Sequence, residues 1–227
     1  MIRTQSKILS QMSCRTVPRQ LGRLLSIRLY SSNPLHKTPP INPISVKDSD
    51  RLSSMLRVDH AGELAAYQIY SGQLFVLSRT HPELVPLIQE MQDQESHHLN
   101  TFDNLLASHR VRPTVMTPLW RIAGWGLGAV TAAMGKEAAM ACTSAVETVI
   151  GGHYDDQIRS LMELEKKYPE GGELTKLTET VSQFRDDELE HRDIAIEKDA
   201  EKATGYPILE KIIGGGCRGA IWISERI

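Results

Sequence analysis

Two long stretches of this chain are almost free of charge, and each holds one glutamate. From Ala61 to Ser78 the only charged residue is Glu63; from Ala138 to Tyr154 it is Glu147. Apolar and small residues recur there at three and four positions, which predicts helices buried nearly all round. A carboxylate inside such a helix is expensive unless it is paired, protonated or bound to a cation. Any fold that encloses these helices must therefore bring both glutamates a partner.

The partners stand in the segments that follow. Each charge-poor stretch precedes a helix-patterned segment with a Glu-x-x-His: Glu95 with His98, and Glu188 with His191. Seventeen glutamates and eight histidines placed at random in 227 positions would give roughly 0.6 such pairs, so the two matches count through their context. Measured from the turns near Pro82 and Pro169, the carboxylates of each hairpin fall at similar heights on antiparallel helices. Glu and His at i, i+3 share a helix face. Four carboxylates and two imidazoles projecting into a four-helix bundle are the donor set of ferritin-like di-iron or di-manganese proteins. Hard oxygen donors with two nitrogens suit iron or manganese better than thiolate-seeking metals. Glu63, Glu95, His98, Glu147, Glu188 and His191 are thus the expected ligands and the catalytic centre. Asp187 is expected to hold a ligand imidazole, with Gln94 at the matching place in the first hairpin. His97 faces away and reads as an ordinary histidine. His60, one turn before Glu63, either supports the site or is merely polar.

The same periodicity predicts five helices and almost no strand. They run from about Asp50 to Arg79, from Pro82 to about His109, from near Gly135 to Tyr168, from the Gly171-Gly172 turn to Gly205, and from Ile208 to Ile223. The apolar segment Leu119–Met134 lies between the second and third. The fold class is all-α, a four-helix bundle with short additional helices. Residues 119–134 are too few to span a bilayer, which takes about 20, and Arg121 interrupts them. Trp120 and Trp125 beside that arginine suit a lipid–water interface. Residues 208–227 have the same character, with Lys211, Arg218 and Trp222; Gly214–Gly216, Gly219 and Ala220 there are expected to let another helix approach closely. Both segments are expected to contact a membrane surface. Ala138, Ala139, Ala141, Ser144 and Ala145 are expected to line the approach to Glu147.

The front of the chain is different. No acidic residue precedes Asp48, while eight Lys and Arg are interleaved with serines and helically spaced apolar residues. Residues 1–47 therefore read as a mitochondrial presequence and a proline-containing linker, with a mature start between residues 28 and 47. The body, 48–227, keeps 18 Lys and Arg against 28 Asp and Glu, a net charge of −10. That balance argues against nucleic acid, which needs a basic face. Cys142 and Cys217 form no C-x-x-C, so neither a disulfide framework nor a thiolate zinc site is indicated.

The blocks RVDHAGELAAYQIYSGQ (57–73), QESHH (94–98), AVETVIGGHYDDQ (145–157) and DDELEH (186–191) resemble the mitochondrial demethoxyubiquinone hydroxylases of ubiquinone biosynthesis. The resemblance spans nearly all of the chain after the presequence. It implies a di-iron monooxygenase that uses O2 to hydroxylate the ring of a polyprenyl-benzoquinol, with the six ligands named above. It further implies electrons from NADH entering near His153 and Tyr154, and a lipid-binding accessory protein within a multi-enzyme complex. The location it implies is peripheral, on the matrix side of the mitochondrial inner membrane. The letters G-x-G-x-x-G occur at 214–219, inside an apolar helix-patterned segment with no strand before it, so no nicotinamide-binding fingerprint is indicated. Three other functions share parts of the pattern: a ferritin-like iron store, a mitochondrial di-iron quinol oxidase with the same ligand order, and a metal-stabilised scaffold without turnover. A radical-generating reductase subunit fits less well, because Phe102 stands one turn past His98.

Overall fold

The computed structural model describes residues 44–170 and 172–227. The expected presequence falls outside the described residues, as does the expected linker up to residue 43. The described residues form six α-helices and no strand. These are α1 (Val46–Thr80), α2 (Val85–His109), α3 (Thr117–Ala133), α4 (Lys136–Lys167), α5 (Gly172–Glu197) and α6 (Tyr206–Ser224). The apolar segment between the expected second and third helices is thus a helix of its own.

Local chemistry explains the boundaries. Ser45 caps α1 by accepting from the Asp48 amide at 3.2 Å, so the helix starts earlier than its apolar pattern does. Asp48 also takes hydrogen bonds from Lys167 (2.6 Å) and Tyr168 (2.7 Å) at the far end of α4, which makes α1 and α4 antiparallel. Pro86, Pro118 and Pro207 sit in the first turns of α2, α3 and α6, where a missing amide hydrogen costs nothing. The expected helix to Gly205 ends earlier, at Glu197. Asp199 adopts the left-handed region (φ 75°) and its carboxylate engages Lys136 and Lys202, and a short 3-10 turn leads into α6.

The bundle consists of α1, α2, α4 and α5, with α3 laid on α1 and α6 on α4. Two apolar clusters fill it. One contains Leu56, Phe102, Leu161, Val181 and Phe184; the other contains Tyr70, Leu77, Ile88, Met91 and the Ala138–Ala141 run. Ala138, Ala139, Ala141, Ser144 and Ala145 are packed in the interior. None of them lines the apolar groove between α1, α3, α4 and α6, and each is at most 5% exposed, so the expected approach to Glu147 does not run past them in that groove.

The close helix contact is also not where the glycine run suggested. Gly215, Gly216 and Gly219 of α6 face open space. Gly124 and Gly128 of α3 instead press on the backbone of α1, and Gly72 of α1 presses on that of α3. A groove of 370 Å³ opens between α1, α3, α4 and α6, lined by Ala61, Gly62, Ala65, Leu127, Val146 and Ile150, among others.

Candidate metal centre

Between the apolar clusters, α1, α2, α4 and α5 direct six side chains at one another. Glu63, Glu95, His98, Glu147, Glu188 and His191 are each at most 2% exposed. Their donor atoms form two groups: Glu63, Glu95, His98 and Glu188, and Glu95, Glu147, Glu188 and His191. Within each group the atoms lie within 4.8 Å of one another. Glu95 and Glu188 belong to both. His98 Nδ1 lies 3.3 Å from Glu63 Oε2 and 3.3 Å from Glu188 Oε1. His191 Nδ1 lies 3.1 Å from Glu95 Oε1 and 3.6 Å from Glu188 Oε2.

A surrounding layer fixes these orientations. His98 Nε2 donates to Asp187 Oδ2 at 3.0 Å, since a carboxylate can only accept. His191 Nε2 donates to Gln94 Oε1 at 2.5 Å. Each second-helix pair thus steadies the histidine of the opposite hairpin, with Nδ1 turned inward. Tyr70 donates to Glu147 Oε1 at 2.8 Å, and Tyr154 donates to Glu63 Oε1. Each tyrosine serves the glutamate of the other helix. The sequence carried this signal: Glu63, Tyr70 and Gln73 in α1 recur 84 positions later as Glu147, Tyr154 and Gln157 in α4, while Asp59 is matched by Thr143. The sequence reading missed Tyr70 altogether.

The bare cluster is electrostatically costly. Burial and the Glu188 and Glu63 charges push Glu95 well above the carboxylate range; burial and the Glu188 and Glu95 charges do the same to Glu147. Burial would raise Glu188 too, but the close imidazoles of His191 and His98 draw it down to about 2. Burial opposes charge on His98, yet contacts with Glu188 and Glu63 take it up to about 12. Protons therefore supply the positive charge that four buried carboxylates demand.

A metal pair meets that demand without protons. Eight of the twelve buried side-chain N and O atoms left without a hydrogen-bond partner, among the described residues, belong to these six side chains. They are one oxygen each of Glu63 and Glu147, both of Glu95 and Glu188, and Nδ1 of both histidines. Two divalent cations balance four carboxylates in charge, and oxygen with imidazole donors suits iron or manganese. The residues present fit a di-metal centre.

The remaining expected positions are placed as follows. His97 is exposed, packing edge-on against Phe184. His60 is buried, 3.1 Å from Asp103 Oδ1, and belongs to neither donor group. His153 is part-buried beside Gln157 and Asp59, away from the donors, whereas its neighbour Tyr154 touches Glu63.

A family model described as ubiquinone biosynthesis protein COQ7 matches residues 50–224. The chain is 48% identical over 207 residues to the Bos taurus NADPH-dependent 3-demethoxyubiquinone 3-hydroxylase, mitochondrial, covering 91% of this chain and 88% of that one. It is 47% identical over 204 residues to the Saccharomyces cerevisiae 5-demethoxyubiquinone hydroxylase, mitochondrial, covering 87% of each. It is also 46% identical over 176 residues to the Rhodospirillum rubrum 3-demethoxyubiquinol 3-hydroxylase, covering 78% of each. Matched through all six helices, the chain belongs to the ubiquinone biosynthesis protein COQ7 family.

Proposed function

We propose that the chain hydroxylates the ring of demethoxyubiquinol, a step of ubiquinone biosynthesis, at a di-iron centre held by Glu63, Glu95, His98, Glu147, Glu188 and His191. The observation that carries the metal assignment is the set of eight unpartnered atoms on these six side chains. The names of the relatives carry the substrate. When bound, the reduced metal pair supplies the electrons and the binding site with which O2 is activated.

The protein's own groups do the rest. Tyr154 and Tyr70 hold the outer oxygens of Glu63 and Glu147, leaving one oxygen of each to a metal. Asp187 and Gln94 keep both imidazoles in the tautomer whose Nδ1 is free. Gly62 and Val146, which line the apolar groove, directly precede Glu63 and Glu147. A flat ring entering there would lie against the centre, with water excluded and the polyprenyl tail along the groove. Electrons come from a nicotinamide nucleotide through the His153–Tyr154 neighbourhood; the bovine relative's name specifies NADPH.

No helix among the described residues is long and apolar enough to cross a membrane. The helices that wall the groove nevertheless expose Leu119, Ile122 and Trp125 on α3, and Ile208, Ile212 and Trp222 on α6. We assign this face to the matrix side of the mitochondrial inner membrane, and to the lipid-binding accessory protein that presents the substrate within a biosynthetic complex. Trp120 differs from the sequence expectation, because it is half-buried and donates to Ser224 Oγ at 3.0 Å. Trp125→Ala combined with Trp222→Ala is therefore expected to weaken binding to anionic vesicles by roughly tenfold or more. Unchanged co-sedimentation would remove the membrane face.

Metal analysis and labelled oxygen test the whole reading. The purified protein is expected to hold two irons per chain. Given reductant and demethoxyubiquinol under labelled O2, it should place one labelled atom on the ring. Label found only in water indicates a quinol oxidase, and no quinol consumption indicates a scaffold.

A further inference from the structure

The duplicated pattern of α1 and α4 breaks at one corner. Gln73 meets Thr143 on one side of the centre; on the other, Gln157 meets Asp59. Asp59 is 3% exposed and lies one turn before Glu63. Gln157 Nε2 is 2.6 Å from Asp59 Oδ1 and 2.9 Å from His153 Nε2. An amide nitrogen carries two hydrogens, so it donates to both and leaves His153 Nε2 an acceptor. His153 Nε2 is itself only 3.8 Å from Asp59 Oδ1. Asp59 Oδ2 has no hydrogen-bond partner. On the outer side, His153 and Gln157 line a polar cleft of 290 Å³ with Arg51, Ser54 and Asp156. Titratable groups thus reach from the surface to a buried carboxyl one turn from Glu63. Thr143, at the matching position, does not titrate.

We propose that Asp59 stores a proton and delivers it to the Glu63 side of the metal centre, and that the His153 cleft refills it. This rests on the hydroxylase reading. There, a ring C–H becomes C–OH with one atom of O2, and the other atom leaves as water. Two electrons from the nicotinamide donor and two protons complete the balance. A water-excluding bundle has to bring those protons in along side chains. Burial, reinforced by the Glu63 charge and only partly opposed by Gln157, holds the Asp59 carboxyl well above the usual range. The site therefore favours the neutral, protonated form of Asp59, which has a proton to give. The groups facing it are Glu63 on its own helix and His153, Tyr154 and Gln157 on α4. Asp156 and Glu225 act on His153 from the cleft side.

The test uses the iron-loaded full chain and follows O2 consumption by the reduced protein in H2O and D2O. Oxygen reduction takes up protons whether or not the ring is hydroxylated, so product is scored separately. Asp59→Asn is expected to slow O2 consumption roughly 100-fold, to increase the solvent isotope effect, and to leave iron content unchanged. Asp59→Glu is expected to restore most of the rate. Gln157→Leu, which keeps the carboxyl but cuts its link to His153, should show the same isotope effect and decides the matter if Asp59→Asn does not fold. Asp59→Asn working within twofold of the unaltered protein overturns the proposal, as does a rate loss that merely tracks lost iron. Normal proton-dependent O2 consumption without label on the ring would instead overturn the hydroxylase reading and leave the relay standing.

Discussion

Glu147→Ala is expected to abolish ring hydroxylation while leaving the helices in place. Under the proposed assignment Glu147 gives one atom to the group it forms with Glu95, Glu188 and His191. Without it that group keeps three side chains, two of them shared with the other group. Iron should fall from two per chain toward about one, because the lost donor belongs to a single ion. The fold should persist for two reasons. Alanine is the most favourable helix residue, and the apolar clusters flanking the centre contain neither Glu147 nor His191. His191→Ala should act alike, since it removes the Nδ1 of the same group. Glu137→Ala, in the first turn of α4 and outside both groups, is the control and should keep full activity. Measurements are labelled-oxygen incorporation, iron content and helical circular dichroism on the same samples. Labelled product from Glu147→Ala at near-normal rate would end the assignment, and lost helicity in that variant would transfer its effect to folding.

The centre was legible because burying charge is so costly. A lone glutamate in each of two charge-free helices has few physical explanations, and the Glu-x-x-His on the following helix supplies the best one. The geometry then brought all six residues together. Asp187 was legible from adjacency alone, since a residue preceding a ligand on the helix can reach across to the next one. Gln94, which marked only a difference between the hairpins in the sequence, holds His191 in the same way. The Tyr70–Glu147 and Tyr154–Glu63 bonds were not, because each joins residues at least 77 positions apart. The repeat at offset 84 would have shown them, had it been extended past the glutamates.

Other features depend on packing that no local pattern encodes. Both α3 and α6 are glycine-containing apolar helices, and the longer glycine run is in α6. Which of them meets its neighbour backbone to backbone through its glycines depends on how side chains interdigitate over the whole helix contact. The groove likewise lies beside the ligand-bearing helices, where Ala61, Gly62 and Ala65 leave room once α3 and α6 are laid across them. The small residues of α4 were a plausible wall by size, but α1 and α5 already fill that space.

That contact yields the largest stability effect expected in the molecule. A Cβ at Gly128 would fall on the carbonyl oxygen of Ile69; one at Gly124 would lie 2.7 Å from the carbonyl oxygen of Ala65. A glycine inside a helix costs roughly 0.5–1 kcal/mol against alanine, so its presence at both places offsets a larger steric penalty. In Gly128→Ala the obstacle is backbone, which cannot rotate away as a side chain can. Helix α3 must then lift off α1, loosening the Gly124 and Gly72 contacts in step. The expected loss is about 3 kcal/mol, the upper end for overpacking, or a Tm lower by about 6–12 °C in a chain of this size. The groove should widen as well, weakening the hold on the substrate tail. Gly126 sits on the same helix with nothing within 4 Å of its Cβ position. Gly126→Ala should therefore stabilise by about 0.5–1 kcal/mol. Thermal unfolding of the two variants in one detergent buffer compares opposite signs from the same substitution two residues apart. Equal shifts in both would mean that α3 does not cross α1 through Gly128.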